Sequence, residues 1–202
     1  MRKIAIAALI ALVVGPALAQ TPAAGTPTRI RGTVDKLDGQ NLMVKSRDGQ
    51  TLTIELAGNV AVLTLVKKSI ADIKVGDYVA STGVKGADGK IRAIEVRIFP
   101  EAARGTGEGQ YAWDLMPDSV MTNATVGKVD KAPQGPVLHV TFKGTESEYT
   151  VAPEVPVLAN GPGDISHMKP SVAVFVIALK HEDGKLTSAR LYAEKDGVKP
   201  PM

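Results

Sequence analysis

Residues 29–56 read RIRGTVDKLDGQNLMVKSRDGQTLTIEL, and this stretch decides the fold. Apolar residues alternate with polar ones in three short runs, which is the pattern of strands with one buried face. The runs are separated by Asp-Gly pairs at 38–39 and 48–49. An Asp-Gly pair between alternating runs favours a tight hairpin, because both residues tolerate positive φ. The sequence therefore predicts three antiparallel strands joined by two hairpin turns.

The residues that follow complete one structural unit. A fourth apolar run covers 60–66, and a helical turn begins at Ser69, with Asp72 placed to bind the free backbone amides. The glycine turn at 75–77 leads into a fifth strand, and a third Asp-Gly pair at 88–89 leads into a sixth.

The second half of the chain repeats this order of strands, turns and cap. The matching segments are 32–37 with 124–129, 52–54 with 149–151, 60–63 with 155–158, 69–72 with 164–167, and 88–91 with 183–186. The offset between the copies is 92 at the first match, 97 at the second and 95 at the last three, as small insertions and deletions in turns would cause. We therefore predict a duplicated unit, with unit 1 at residues 28–99 and unit 2 at residues 122–195.

Each unit is short, all β, and has no disulfide, because the chain contains no cysteine. Such a sheet must close on itself or leave edges that invite aggregation. We predict an all-β fold of two tandem, small, partly open β-barrels of OB or SH3 type, with five to six strands each and a packed connector. A β-sandwich formed from both halves is the alternative. The continuous apolar run 172–179 predicts a strand in unit 2 that is buried on both faces.

Three segments of unit 1 carry a resemblance to a known family. Arg31-Gly32-x-Val34, the run DIKVGDYV at 72–79 and the pattern DGxxxA at 88–93 together resemble exported bacterial β-barrel domains of unknown function. Some two-unit relatives carry the name of a metal ABC transporter permease. That name implies several spanning helices, which this sequence does not contain. Unit 2 departs from the pattern, with Pro170 and Ser171 in the turn. The resemblance implies a small β-barrel and export, and it supplies no activity.

The first nineteen residues have the pattern of a signal peptide. Arg2 and Lys3 precede an apolar run at 4–15, and Ala17-Leu18-Ala19 forms a small-x-small cleavage site. A membrane-spanning helix needs about 20 apolar residues, and Pro16 interrupts the run before that length. We therefore expect cleavage after the leader and a periplasmic protein with no transmembrane segment.

Composition excludes several classes of function. The net charge is +3, and loss of the two basic leader residues leaves 22 basic against 21 acidic residues. A nearly neutral chain without basic runs does not fit a nucleic-acid surface. The absence of cysteine rules out thiol chemistry and thiolate metal sites. No nucleophile is placed beside a base in either unit. We expect no enzymatic activity, no catalytic residue and no cofactor.

The connector at residues 100–121 is the most unusual stretch. It holds the only tryptophan, together with other apolar and acidic residues that a disordered linker would lack. It packs either as a clasp between the two units or as a binding site for a partner. The candidate binding residues are Tyr111, Trp113, Asp114 and Met116.

These observations favour a non-enzymatic, exported binding or interaction module for an unknown protein or small ligand in the cell envelope. A periplasmic protein that handles copper is the first alternative, because methionine and histidine are ligands for Cu(I). Its candidate metal ligands are Met116, Met121, His167 and Met168. A structural envelope protein is the second alternative, and the sequence does not separate it from a binding module.

Overall fold

The computed structural model describes residues 25–201, so the predicted signal peptide lies outside the described residues. The prediction of an all-β fold is confirmed. The strands are β1 (Thr26–Asp38), β2 (Asn41–Ser46), β3 (Thr51–Lys68), β4 (Tyr78–Lys85), β5 (Ile91–Ile98), β6 (Gly109–Ala112), β7 (Ser119–Asp130), β8 (Val137–Phe142), β9 (Thr145–Thr150), β10 (Val157–Pro162), β11 (Ala173–Lys180) and β12 (Leu186–Ala193). Three short 3₁₀ helices accompany them: η1 (Ile70–Asp72), η2 (Glu101–Ala103) and η3 (Ile165–His167). In the described part of the chain, no helix is long and apolar enough to cross a membrane.

The Asp-Gly pairs form the predicted hairpin turns. Gly39 and Gly49 have φ of 59° and 81°, the left-handed region that glycine adopts without steric cost. β1 therefore pairs antiparallel with β2, and β2 pairs antiparallel with β3. The predicted third and fourth strands of unit 1 are a single strand, β3, of 18 residues. In the second half the corresponding residues form two strands, because a proline-containing turn separates β9 from β10.

The first barrel is a closed ring of five strands. β1, β2 and β3 lie side by side, β11 pairs with β1, and β12 closes the ring by pairing with both β11 and β3. Its core contains the inward side chains of all five strands, among them Leu42, Ile54, Val176 and Leu191. Closure satisfies the edge hydrogen bonds of the sheet without any disulfide.

The second barrel uses the remaining long strands. β5, β4, β7, β8 and β9 lie in this order, and a short parallel pairing of Ile91 and Arg92 with Tyr149 and Thr150 joins β5 back to β9. Its separate core includes Val79, Val96, Leu138 and Tyr149. β10 lies between the barrels, antiparallel to β3 and parallel to β5, so all strands belong to one continuous sheet.

The prediction that each contiguous unit forms its own barrel is wrong. Each barrel takes three strands from one half of the chain and two from the other. β3 continues as far as Lys68, where it pairs with β10, and η1 follows it. β4 and β5 then enter the second ring, and β11 and β12 return to the first. The two halves have exchanged their last two strands.

The connector between the halves is ordered. It contains η2 and the short strand β6, which pairs with β7 along Gly109–Ala112. This pairing holds Tyr111 opposite Met121, beside the second barrel.

The turn before β4 and the turn before β11 have the same conformation despite their different sequences. Gly76 has φ of 91° and the corresponding Ser171 has φ of 72°, so the serine adopts the conformation that the glycine of the family pattern would adopt. The preceding 3₁₀ helices also correspond, with Asp72 bonded to the backbone amide of Ser69 and His167 near Asp164. The change from Gly76 to Ser171 therefore leaves the turn unchanged.

Candidate binding cavity between the two barrels

A cavity of about 170 Å³ lies where the two barrels face each other. It collects five of the eight aromatic residues of the chain, including the only tryptophan. The lining residues are Arg31, Ala80, Thr82, Glu95, Arg97, Phe99, Thr106, Gly107, Tyr111, Trp113, Met121, Asn123, Phe175, Ile177, Arg190, Tyr192 and Pro201.

One wall is the outer face of three neighbouring strands of the second barrel, β5, β4 and β7. Ala80 on β4 is paired with Arg97 on one side and with Asn123 on the other. Two residues further along β4, Thr82 is paired in the same way with Glu95 and Met121. The wall therefore presents two short rows of side chains, with the small Ala80 in the middle of one row.

The opposite wall is the corresponding face of the first barrel, formed by β12, β11 and β1. Phe175 on β11 is paired with Tyr192 and Arg31, and Ile177 is paired with Arg190 and Arg29. These positions are related to the rows of the first wall by the offsets of the repeat, 95 on β11 and β12 and 92 on β1. The cavity is thus enclosed by two equivalent sheet faces that carry different side chains.

The strand β11 is buried on both faces over Ala173–Val176, as the apolar run predicts. Val174 and Val176 lie in the first core, while Phe175 points away from it and packs against Trp113 with ring centroids 6.4 Å apart. Beyond this point Ile177 is 40% exposed.

Arg31 is a buried cation at one end of the cavity, with 3% of its surface exposed. Its Nε donates to the carbonyl of Pro201 at 3.1 Å, and its Nη1 donates to the carboxylate of Asp114 at 2.8 Å. The guanidinium also lies 4.6 Å from the centre of the Phe175 ring, within range of a cation–π interaction. This side chain therefore ties β1 to the connector and to the C-terminal segment.

Glu95 and Arg97 form a buried ion pair on β5. The Nη2 of Arg97 donates to Oε1 of Glu95 at 2.8 Å. Arg97 is 9% exposed and Glu95 is 5% exposed. The guanidinium lies 4.9 Å from the ring centre of Tyr192 on the opposite wall. Its Nε is buried and has no hydrogen-bond partner among the described residues. A donor in this position costs free energy unless something accepts from it.

Asn123 supplies a second buried group without a partner. Its Nδ2 donates to the carbonyl of Thr106 at 2.9 Å and lies 3.3 Å from the Tyr111 hydroxyl. A carbonyl only accepts, so this bond fixes which end of the amide faces the connector. The Oδ1 is left buried without a donor in the described part of the chain.

The structure brings two of the four predicted binding residues to the cavity. Tyr111 and Trp113 line it, with ring centroids 6.1 Å apart. Trp113 is half-buried, with the Arg29 guanidinium 4.0 Å from its ring centre. Asp114 does not line the cavity, but its carboxylate forms an ion pair with the lining residue Arg31. Met116 is 46% exposed and lies in a separate groove, so it does not take part in this cavity.

The four residues of the metal alternative do not come together. Met168 is buried in the first core, Met121 lines the cavity beside Thr82, and Met116 is exposed. His167 lies in η3, where its Nδ1 is 3.0 Å from the Asp164 carbonyl. Among the residues that the structure describes, no group of three or more His, Cys, Asp or Glu side chains is arranged to hold a metal ion.

The sequence pattern does not mark four of the lining residues as part of a site: Arg31, Glu95, Arg97 and Asn123. All four lie on the polar side of alternating strands, which the pattern assigns to solvent. The exchange of strands covers that side with the other barrel. A signal does exist in the repeat: at equivalent positions, Arg97 matches Tyr192 and Asn123 matches Arg31. Side chains that face solvent need not fit together, whereas the side chains at these matched positions lie on two facing walls and must pack into one interior.

The fold and the cavity define an all-β protein of two strand-exchanged barrels that enclose a polar and aromatic site. No family model, curated protein or solved structure matches this chain. The functional conclusions therefore rest on the geometry of the cavity.

Acid should weaken the contact that holds the connector. Burial raises the pKa of Asp114, but the hydrogen bond from Arg31 and the charges of Arg31 and Arg29 outweigh it and hold the pKa below its usual value. Because the folded pKa is the lower one, the stabilisation is present above the unfolded value of about 4 and is lost as the pH falls through the folded pKa. We expect Asp114→Asn to flatten the loss of unfolding free energy between about pH 5 and pH 2.

Urea unfolding at several pH values, followed by Trp113 fluorescence, measures this dependence. The matched control is Asp118→Asn, which removes an exposed carboxylate four residues away. An Asp114→Asn protein with the same acid dependence as the wild type would contradict the assignment.

Proposed function

We propose that this protein is an exported, periplasmic, non-enzymatic module that binds a small molecule in the cavity between its barrels. The observation that carries the proposal is the aromatic cavity of about 170 Å³ between the barrels, whose lining also holds the polar side chains of Arg97 and Asn123. The leader pattern supports export.

The chemistry of the wall is that of a small-ligand site. Such sites are concave, largely apolar or aromatic, and carry a few polar groups that fix orientation. The cavity has this character, with five aromatic side chains in its lining beside the polar side chains of Arg31, Arg97 and Asn123.

The lining favours binding over catalysis. Among the described residues around the cavity there is no His, Cys, Ser or Lys. The one carboxylate, Glu95, is engaged by Arg97, and the hydroxyl of Thr82 donates to the sulfur of Met121. No side chain is therefore poised as a base beside a nucleophile.

Trp113 acts both as a clasp and as a lining residue. Its ring packs against Phe175 of the first barrel, while the connector that carries it pairs through β6 with the second. A ligand in the cavity would contact this ring directly. Since it is the only tryptophan, its fluorescence reports on the cavity without background from other sites.

The test is a titration of the mature chain with three ring compounds, benzoate, benzyl alcohol and benzylamine, followed by Trp113 fluorescence and by calorimetry. We expect at least one to bind with a saturable fluorescence change. Ala80→Leu adds apolar bulk in the middle of the wall and should abolish the binding, whereas Ala102→Leu, on the exposed surface of η2, should leave it intact. Failure of all three probes to bind the wild type would overturn the proposal and favour a protein partner or a structural role.

A further inference from the structure

We propose that the protein has a second binding site, which takes a free fatty acid in a groove between the connector and the C-terminal segment. The groove has a volume of about 650 Å³ and adjoins the central cavity at Glu95 and Pro201. This volume lies within the range of about 300–1,000 Å³ that is usual for small-ligand sites. The site does not depend on the function proposed for the central cavity.

The floor of the groove is apolar. Leu158 on β10 and Val198 of the C-terminal segment belong to one hydrophobic cluster, and both line the groove. Ile94 on β5 and Leu115 and Met116 of the connector extend this apolar lining. Met116 is 46% exposed. An unbranched methionine side chain adapts to the shape of a flexible apolar ligand, so the floor suits a hydrocarbon chain.

The lining also carries three lysines, Lys67, Lys68 and Lys199. All three are exposed, and none makes an ion pair within the part of the chain that the structure describes. Asp72 lies within electrostatic range of Lys68, which leaves Lys67 and Lys199 as the freer pair. The one carboxylate among the described lining residues, Glu95, is already paired with Arg97. The unpaired charge of the groove is therefore positive, and positive charge beside an apolar surface attracts an anion.

The fold does not require the lysines at the end of β3. Through the repeat offset of 95, Lys67 and Lys68 correspond to Pro162 and Gly163, which carry no charge. Lys67 pairs with Leu158 in the antiparallel pair of β3 and β10, and at the other end of the same pair Pro162 takes the equivalent place opposite Leu63. Since this pairing forms without a lysine at one end, the lysines at the other end are available for a ligand.

The backbone of the floor favours an acyl chain over a peptide. β10 is paired on both sides, antiparallel to β3 and parallel to β5, so it offers no free edge. An extended peptide laid along it would bury N–H and C=O groups without partners, whereas a hydrocarbon chain has no such groups. Lysine side chains rest their stems on apolar surface and keep their ammonium groups in water. A carboxylate at the lysines, with its chain along the floor, satisfies both features.

Both sides of the groove are held in place by contacts within the protein. The Ser119 hydroxyl donates to the carbonyl of Met116 at 2.7 Å, which fixes the turn of the connector. In the C-terminal segment, Lys195 forms a bridge with Val198, and the carbonyl of Pro201 accepts from Arg31. A groove whose sides are already ordered loses little conformational entropy when a ligand binds.

The experiment titrates the mature chain by calorimetry with four single-chain probes below their micelle concentrations: dodecanoate, decanoate, octanoate and dodecyltrimethylammonium. Dodecanoate should bind most tightly. Each loss of two methylenes should weaken binding by about fivefold, since burial in an open groove is incomplete. The cation should bind at least about tenfold more weakly than dodecanoate. Equal binding of the cation, or affinity that does not change with chain length, would overturn the proposal. Sedimentation of the protein with phosphatidylglycerol vesicles, without binding of dodecanoate, would assign the lysines to a membrane surface instead.

Variants locate the site. Met116→Asp places an anion on the exposed part of the floor and should abolish dodecanoate binding. Lys67→Gln/Lys199→Gln leaves the floor intact and should weaken it by about fivefold while reducing its dependence on salt. The matched control is Lys45→Gln/Lys90→Gln, which removes two exposed lysines outside the groove. Equal losses in the two double variants would overturn the assignment.

The central cavity is tested separately from the groove. Ala80→Leu, which fills the cavity, should leave dodecanoate binding unchanged, because Ala80 does not line the groove. Loss of dodecanoate binding in this variant, with binding retained in Met116→Asp, would place the chain in the cavity and overturn the proposal. If dodecanoate does not bind the wild type while one of the ring compounds does, this inference fails and the proposed function stands.

Discussion

Replacement of Glu95 by leucine lowers the free energy of unfolding by about 3–5 kcal/mol, because it leaves the Arg97 guanidinium buried without its counter-charge. The pair is formed between two residues that are almost completely buried, at a distance of 2.8 Å. Removal of one partner lowers the free energy of unfolding far more than the intact ion pair contributes to it, because the remaining charge stays buried without a counter-charge. Urea unfolding followed by circular dichroism measures the loss.

Two further variants separate this cause from others. The double variant Glu95→Leu/Arg97→Met removes both charges and should recover most of the lost stability, because a buried ion pair and an apolar pair of similar volume are often nearly equivalent. The matched control is Glu101→Leu, which removes an exposed ion pair with Arg104 and should change the free energy of unfolding far less. Equal destabilisation by the Glu95 single variant and the double variant would show that the loss comes from packing and not from charge.

The local elements of the fold are predictable from sequence because they depend on neighbouring residues. Alternation gives the strands, and the Asp-Gly pairs give the turns at Gly39 and Gly49. The exchange of strands is not predictable in this way. An exchanged and an unexchanged arrangement would bury the same inward side chains, such as Val34 and Val176, and differ only in which copy supplies each strand.

The cavity was predicted only in part for the same reason. The composition of the connector predicts that Tyr111 and Trp113 pack or bind, because large apolar side chains are unusual in a linker. The charged and polar residues Glu95, Arg97 and Asn123 lie in ordinary alternating strands and have the periodicity of a solvent-facing side. Only the tertiary arrangement, which places one barrel face against the other, turns that side into an interior.

A disulfide between β1 and β11 should form in the double variant Pro27→Cys/Leu179→Cys and stabilise the protein by about 4–5 kcal/mol. The two residues are direct partners across the antiparallel pair of β1 and β11 in the first barrel, and strand partners lie within the Cα separation that a disulfide spans. The bond would close a loop of more than roughly 100 residues, for which the loss of chain entropy in the unfolded state is large. The wild type has no cysteine that could compete.

The matched control uses the position that an unexchanged barrel would require. Val84 on β4 corresponds to Leu179 on β11 through the repeat, so contiguous units would place it beside Pro27. In the exchanged fold Val84 instead pairs with Ser119 on β7. The double variant Pro27→Cys/Val84→Cys should therefore retain two free thiols and wild-type mobility on a non-reducing gel. A disulfide in this variant, and free thiols in the Leu179 variant, would mean that each unit closes its own barrel, and the cavity wall built from β5, β4 and β7 would then face a different partner.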